Sequence, residues 1–243
     1  MAKILLNIPC YNEAERLPAG KILDFLAKNP DISVCLINDG STDTTAKIID
    51  DTAAKNPSRV SAIHLEKNCG KAEAIRRGML SHLPANTYEW YGYWDADLAT
   101  PLEEIDHMLS HASENTKVLM CSRVMRLGSK INRHLHRHIL GRIMATLISN
   151  VLNLQVYDTQ CGAKLIRNTE IEPVFAEKFI TEWLFDVEII ARLQKKYPNQ
   201  HADRYIYEVP VLRWDDVPGS KVKFRHMFQS LAGIIRIYFK YRR

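Results

Sequence analysis

Several features are missing from these 243 residues, and each absence removes a class of protein. No apolar run approaches the roughly 20 residues that a bilayer-spanning helix needs. A first strand is predicted within a few residues of Met1, so neither a signal peptide nor a transit segment is expected, and a cytosolic location follows. Cysteine is sparse: Cys10, Cys35, Cys69, Cys121 and Cys161 are odd in number and form no CxxC pair. That argues against a disulfide framework and against a zinc site, and leaves the thiols as small core residues. No GxGxxG follows the first predicted strand, which disfavours a dinucleotide-dependent oxidoreductase. No internal repeat, low-complexity stretch or linker marks a domain boundary.

Acidic residues are missing from two particular segments. Lys117 to Tyr157 holds seven basic residues and none of opposite sign, and Lys221 to Arg243 repeats that count. The rest of the chain carries 19 basic against 28 acidic residues, so the net charge of +5 hides two basic segments on an acidic body. Such segments point to phosphates, whether of nucleic acid, anionic lipid or a phosphorylated substrate, and charge alone does not choose among them.

What is present reads as one α/β domain of ordinary composition, 46% hydrophobic and 25% charged. Strands are predicted at Lys3–Ile8, Ile32–Asn38, Arg59–Leu65 and Tyr88–Trp94, with helices between them at about Glu13–Lys28, Thr42–Lys55 and Gly70–Leu83. Alternation of this kind predicts βαβ units and a mostly parallel sheet flanked by helices. Beyond Pro101 come a helix to about Ala112, strands Val118–Ser122, Ala163–Arg167 and Tyr205–Arg213, and a helix Leu184–Lys196. Ile131, Leu135, Ile139, Ile143, Leu147 and Val151 recur every four residues and predict one apolar stripe on a long helix. The chain closes in a basic, aromatic-rich helical extension.

In a parallel α/β sheet, ligands bind beyond the carboxyl ends of the strands. Here each of the first four strands is followed by a polar cluster: Pro9-Cys10-Tyr11-Asn12-Glu13, Asp39-Gly40-Ser41-Thr42-Asp43, Asn68-Cys69-Gly70-Lys71 and Asp95-Ala96-Asp97. A helix cap explains Ser41-Thr42-Asp43 well. Asp95 and Asp97, two apart on an extended segment, can turn both carboxylates into one crevice. Mg²⁺ or Mn²⁺ binds one or two such carboxylates and completes its shell with water and substrate phosphates. The pattern therefore suits a nucleotide diphosphate. His134, His136 and His138 do not suggest a metal site, since only His134 and His138 share a helix face and no acidic residue lies near.

With Gly70-Lys71-Ala72-Glu73-Ala74-Ile75 added, the four clusters resemble those of family 2 glycosyltransferases of the GT-A fold, in order and spacing. Asp158-Thr159-Gln160-Cys161-Gly162-Ala163-Lys164, Trp183-Leu184-Phe185-Asp186-Val187-Glu188 and Gly219-Ser220-Lys221 are similar to the polyprenyl-phosphate sugar transferases within that family, the dolichyl-phosphate β-glucosyltransferases in particular. The resemblance implies that Pro9, Tyr11, Glu13 and Asp39 hold the nucleoside, with Tyr11 stacking on the base and Asp39 accepting its imide. It places Lys71 and Ala96 near the nucleotide, Asp97 as principal metal ligand and Asp95 as its assistant. Arg123, Arg133 and Arg137 would grip an acceptor phosphate, Lys221 would close over the diphosphate, Trp183 would stack on the sugar, and Asp158 and Asp186 would have polar active-site roles.

The resemblance implies an inverting transfer of a hexose to polyprenyl phosphate, with UDP-glucose the favoured donor and GDP-mannose the alternative. A rival enzyme reading is transfer to a hydroxyl acceptor, which requires Asp158 or Asp186 as a base. A non-catalytic phosphate- or nucleic-acid-binding protein would explain the basic segments but not Asp95 and Asp97, whose carboxylates repel a phosphate backbone. No nucleic-acid partner is expected. Residues 1–220 are expected to form the catalytic domain. Residues 221–243 are expected to form a basic amphipathic segment that holds the enzyme on the cytoplasmic face of an anionic membrane.

Overall fold

The computed structural model describes residues 2–132, 135–215, 217 and 225–241, with side-chain surroundings for all of these except 132, 135–140 and 225–231. In chain order the elements are β1 (Ile4–Cys10), α1 (Ala19–Lys28), β2 (Ile32–Asn38), α2 (Thr45–Lys55), β3 (Val60–His64), α3 (Lys71–Ser81), β4 (Trp90–Trp94), α4 (Glu104–Leu109) and β5 (Val118–Ser122). They continue with β6 (Lys130–Asn132), α5 (Leu135–Leu152), β7 (Ala163–Arg167), α6 (Asn168–Phe175), α7 (Phe185–Lys196), β8 (Ile206–Pro210), β9 (Arg213–Asp215) and α8 (Arg225–Tyr241). The chain divides into two compact units, residues 1–98 with 163–178, and residues 99–162 with 179–243.

The first unit contains a sheet in the order β3-β2-β1-β4-β7. Its first four strands are parallel, and β7 runs antiparallel to β4, with Trp90 opposite Arg167 and Trp94 opposite Ala163. Every residue of β4 is buried, and β1 is buried except at Pro9. Strands covered on both faces read as continuous apolar runs, which is why their positions are legible in the sequence. Helix α3 comes very close to this sheet. A Cβ on Gly78 would stand 2.4 Å from Ile37 Cδ1 and 2.5 Å from Asn7 Oδ1. Asn7 is itself buried, its amide donating to Gly92 O at 3.1 Å.

Two elements of this unit differ from expectation. Helix α1 begins at Ala19 rather than near Glu13, because Pro18 lacks an N–H and disfavours helical geometry in the residue before it. Residues 13–17 instead form a turn in which the N–H groups of Arg16 and Leu17 donate to Glu13 O at 2.9 and 2.8 Å. Helix α6 was not anticipated: it has eight residues and contains Pro173, which leaves too little periodicity to recognise.

In the second unit β5 pairs in parallel with β8, and β6 with β9. The single strand expected over Tyr205–Arg213 is split, ending at Pro210 and resuming at Arg213. The buried carboxylate of Glu104 accepts the N–H groups of Leu212 and Arg213, each at 3.0 Å, and so satisfies the break.

Helix α5 exists but starts at Leu135, with Ile131 in β6 instead, and its four-residue repeat does not define the buried face. Ile143 and Leu147 are 54% and 38% exposed, whereas Ala145, Ile148 and Leu152 are buried. A step of four residues overshoots a 3.6-residue turn by roughly 40°, so a strict repeat winds around the helix instead of tracking one side. Helix α8 packs on α5 and α7 with Ile234 and Ile237 buried, and the Tyr241 hydroxyl donates to Glu188 Oε1 at 2.9 Å. Its Ile235 and Phe239 are exposed. No helix among the described residues is long and apolar enough to cross a membrane.

Candidate active site

The four polar clusters do lie at the carboxyl ends of β1 to β4, the first starting within β1 itself, and each turn has a residue in the left-handed region: Asn12 (φ 50°), Gly40 (φ 65°), Gly70 (φ 88°) and, directly after the last cluster, Leu98 (φ 50°). These reversals let the chain turn sharply out of each strand. Gly40 has a second reason to be glycine, since a Cβ there would meet the backbone of Lys67 and Asn68 at 2.3 to 2.6 Å. Leu98 is the unusual case, because a bulky side chain disfavours this region. Its N–H donates to Asp95 O at 3.1 Å, closing the tight turn that carries both acidic residues.

The loops after β1 and β2 are joined by side chains. Asn12 N donates to Ser41 Oγ at 3.0 Å, Glu13 N to Thr45 Oγ1 at 2.8 Å, and Thr42 N to Asn12 Oδ1 at 2.9 Å. Asp43 accepts from Thr45 N at 2.9 Å at the start of α2 and from Ala14 N at 3.2 Å, so it both supports the helix and fastens the neighbouring loop. Asp39, only 3% exposed, accepts the N–H groups of Cys69 and Gly70 at 2.8 and 3.0 Å. The residue expected to read the base is thus also the clamp holding the loop after β3.

Around the acidic pair, Lys71 Nζ lies 2.5 Å from Asp95, and Arg16 Nη1 lies 3.9 Å from Asp97. Arg16 also pairs with Glu13 at 2.7 Å. Its pKa is raised first by that hydrogen bond, against the cost of burial, and further by the charges of Asp97 and Asp95. The side chains of Asp95 and Asp97 are 40% and 22% exposed, and the intervening Ala96 is buried. Among the described residues no group of three His, Cys, Asp or Glu gathers. Two hard carboxylates with access to solvent fit Mg²⁺ or Mn²⁺, which takes its remaining ligands from water and phosphate, and not a closed zinc cage. Tyr11 is 37% exposed and Pro9 half-buried on β1.

In the second unit Arg123 and Asp158 form a two-pronged pair, Nε at 2.6 Å and Nη2 at 2.9 Å. Asp158 also accepts from Gln160 N at 3.1 Å. Behind it, Glu208 accepts Asp158 N at 2.6 Å and Tyr157 N at 2.9 Å. Burial raises the Glu208 pKa, against these N–H bonds, which favour the ionised form. Asp186 is buried in the first turn of α7, and Trp183, 36% exposed, stands just before that helix with its carbonyl accepting from Gln160 Nε2 at 3.3 Å. Arg133, His134 and Lys221 lie outside the described residues, as do the side chains of Arg137, His136 and His138. Sequence reasoning missed Arg16, Arg142 and Glu208 as individual residues. Only Arg142 carried a signal, as a member of the first basic segment.

The sequence model of the family described as Glycosyl transferase family 2 matches residues 6–175, which contain all four clusters and most of the fold. The chain belongs to that family. It is 30% identical over 250 residues to a dolichyl-phosphate beta-glucosyltransferase of Dictyostelium discoideum, covering 96% of this chain and 73% of that one. It is 28% identical over 251 residues to the Homo sapiens protein of the same name, covering 96% and 74%. Among solved structures, glucosyl-3-phosphoglycerate synthase of Mycobacterium tuberculosis in complex with Mn²⁺, UDP and glucosyl-3-phosphoglycerate aligns with TM-score 0.65 and 16% identity, over 98% and 80% of the two chains. Mannosyl-3-phosphoglycerate synthase of Rubrobacter xylanophilus aligns with TM-score 0.70 and 14% identity, over 98% and 73%. The family makes the protein a glycosyltransferase, and the structural likeness shows the GT-A fold.

Proposed function

We propose that this family 2 glycosyltransferase moves glucose from UDP-glucose to the phosphate of a polyprenyl phosphate, with inversion at the anomeric carbon and a divalent cation at Asp95 and Asp97. The similarity to dolichyl-phosphate β-glucosyltransferases over nearly the whole chain carries the reading. When bound, Mg²⁺ or Mn²⁺ would neutralise charge on the departing diphosphate. Tyr11, Pro9, Glu13 and Asp39 hold the nucleoside, and Lys71 exchanges its contact with Asp95 for one with the diphosphate. A phosphate monoester has a second pKa near 6, so at neutral pH it is already an anionic nucleophile and needs no strong protein base. What the protein must do is align it behind the anomeric carbon.

This chemistry agrees with the state of Asp158. A carboxylate locked to Arg123 is a poor general base, which disfavours the hydroxyl-acceptor reading, and the pair instead presents an oriented guanidinium. Arg133, Arg137 and Lys221 are proposed to add positive charge on the acceptor and diphosphate sides, with Trp183 against the sugar and Asp186 fixing the start of α7. Residues 1–220 are proposed as the catalytic domain and 221–243 as a basic segment directed to the cytoplasmic face of an anionic membrane. A panel of radiolabelled UDP-glucose and GDP-mannose with polyprenyl phosphate tests the whole. Lipid-extractable label from UDP-glucose is expected. Label from GDP-mannose alone would make the protein a mannosyltransferase, and none from either would overturn the acceptor.

A further inference from the structure

We propose that Arg142 and Thr159 form an anion subsite for a phosphate-monoester oxygen, in a small cavity of the second unit. This deepens the phosphate-acceptor reading and rests on it. The cavity is lined by Arg123, Arg142, Ala145, Ile148, Asp158 and Thr159, among others. Arg142 lies in the middle of α5, with its guanidinium 3.8 Å from the centroid of the Tyr157 ring and Nη1 donating to Tyr157 O at 3.0 Å. Those two contacts fix the group in place without cancelling its charge. No carboxylate among the described residues pairs with Arg142, whereas Asp158 in the same cavity is engaged two-pronged by Arg123.

The second observation is independent of charge. Thr159 is 2% exposed, and its hydroxyl has no hydrogen-bond partner among the described residues. A buried hydroxyl left unpaired costs free energy, so a site that keeps one gains when a ligand supplies the acceptor. An arginine with spare donors and an orphan hydroxyl lining one cavity together with the apolar Ala145 and Ile148 select an anionic oxygen. A neutral sugar hydroxyl would answer Thr159 and leave the charge of Arg142 unmatched, and a cation would be repelled. A phosphate monoester answers both. Its source is either a lipid headgroup or a free phosphate compound.

The test measures binding of inorganic phosphate and of a short, water-soluble prenyl monophosphate to the full chain by calorimetry at fixed ionic strength. Wild type is compared with Arg142→Gln, Thr159→Val and Thr159→Ser. UDP binding in Mn²⁺ and the thermal midpoint are followed in parallel. Arg142→Gln keeps a donor for Tyr157 O and loses the charge, and Thr159→Val loses the hydroxyl at nearly constant volume. Both are expected to weaken prenyl monophosphate by about tenfold or more, with Thr159→Ser within about twofold of wild type and UDP unchanged.

Thr159→Val is also expected to melt no lower than wild type, since it removes an unpaired buried group. A parallel loss for inorganic phosphate identifies bare phosphate as sufficient. A loss confined to the prenyl compound identifies the lipid headgroup. Wild-type affinity in both folded variants, or a fall in UDP affinity in step with the phosphate, would overturn the subsite. If Arg142→Gln fails to fold, the Thr159 pair decides alone. Failure of the wild type to glucosylate any polyprenyl phosphate, with phosphate binding still lost in the variants, would defeat the acceptor assignment and leave the anion site standing.

Discussion

Asp97 stands beside Arg16 and Asp95 beside Lys71, so each acidic residue already faces a cation that a metal at the proposed site would have to replace or share. Asp97→Asn is expected to lower kcat by about 100-fold or more, and chelation of divalent cations to do the same to the wild type. Full activity of the variant in EDTA would remove the metal from the mechanism. At Glu208 the expectation concerns pH. Its folded pKa is raised, so its protonated form contributes stability that is present below the unfolded value of about 4.3 and lost as pH rises through the folded one. The stability of wild type relative to Glu208→Gln should therefore fall across that window and level off above it. Denaturant midpoints measured at each pH check this, and a constant difference would uncouple the carboxyl from folding. The position of the acidic pair at the end of β4 was legible because it directly follows an apolar run in the sequence. Lys71 with Asp95, Arg123 with Asp158 and the support from Glu208 were not legible, because each joins residues far apart in the chain.

The loops after β2 and β3 meet at Gly40, whose left-handed backbone and missing Cβ are both required. Gly40→Ala should destabilise the protein by more than about 2 kcal/mol, because backbone atoms of Lys67 and Asn68 cannot move aside as a flexible side chain would. Urea titration measures this, and a loss under half that size would mean the two loops are free to part. Strands β1, β2 and β4 were readable as elements because burial on both faces leaves nearly unbroken apolar runs. Boundaries were lost wherever one proline decided them, as at Pro18 and Pro210, and the antiparallel direction of β7 carries no mark in its five residues. Helix α5 shows the opposite failure. Its existence was clear, yet its buried side turns on Ala145, Ile148 and Leu152, and the more hydrophobic Ile143 and Leu147 face outward.

At the scale of the whole molecule, the second unit combines both basic segments with exposed apolar side chains, among them Leu127, Ile143, Leu147, Ile235 and Phe239. Apolar side chains on basic helices suit an anionic leaflet, where each nearby Lys or Arg contributes roughly 1 kcal/mol. Because α8 packs on α7, deleting it would expose core, and point changes are the cleaner probe. Ile143→Glu with Leu147→Glu should weaken sedimentation with anionic liposomes while UDP binding survives, and high salt should release the wild type. Unchanged sedimentation of the folded variant would exclude this face of α5 from membrane contact. The discontinuous make-up of the first unit bears on how the protein is born. As the chain leaves the ribosome, β1 to β4 are complete by Trp94, but one edge of β4 receives β7 only after residue 167 has been made. For about 70 residues of synthesis an aromatic strand waits with an open edge, a period in which an unpaired strand can add to another chain. A fragment ending at residue 98 should accordingly associate on release, and supplying residues 163–178 in trans should suppress that association.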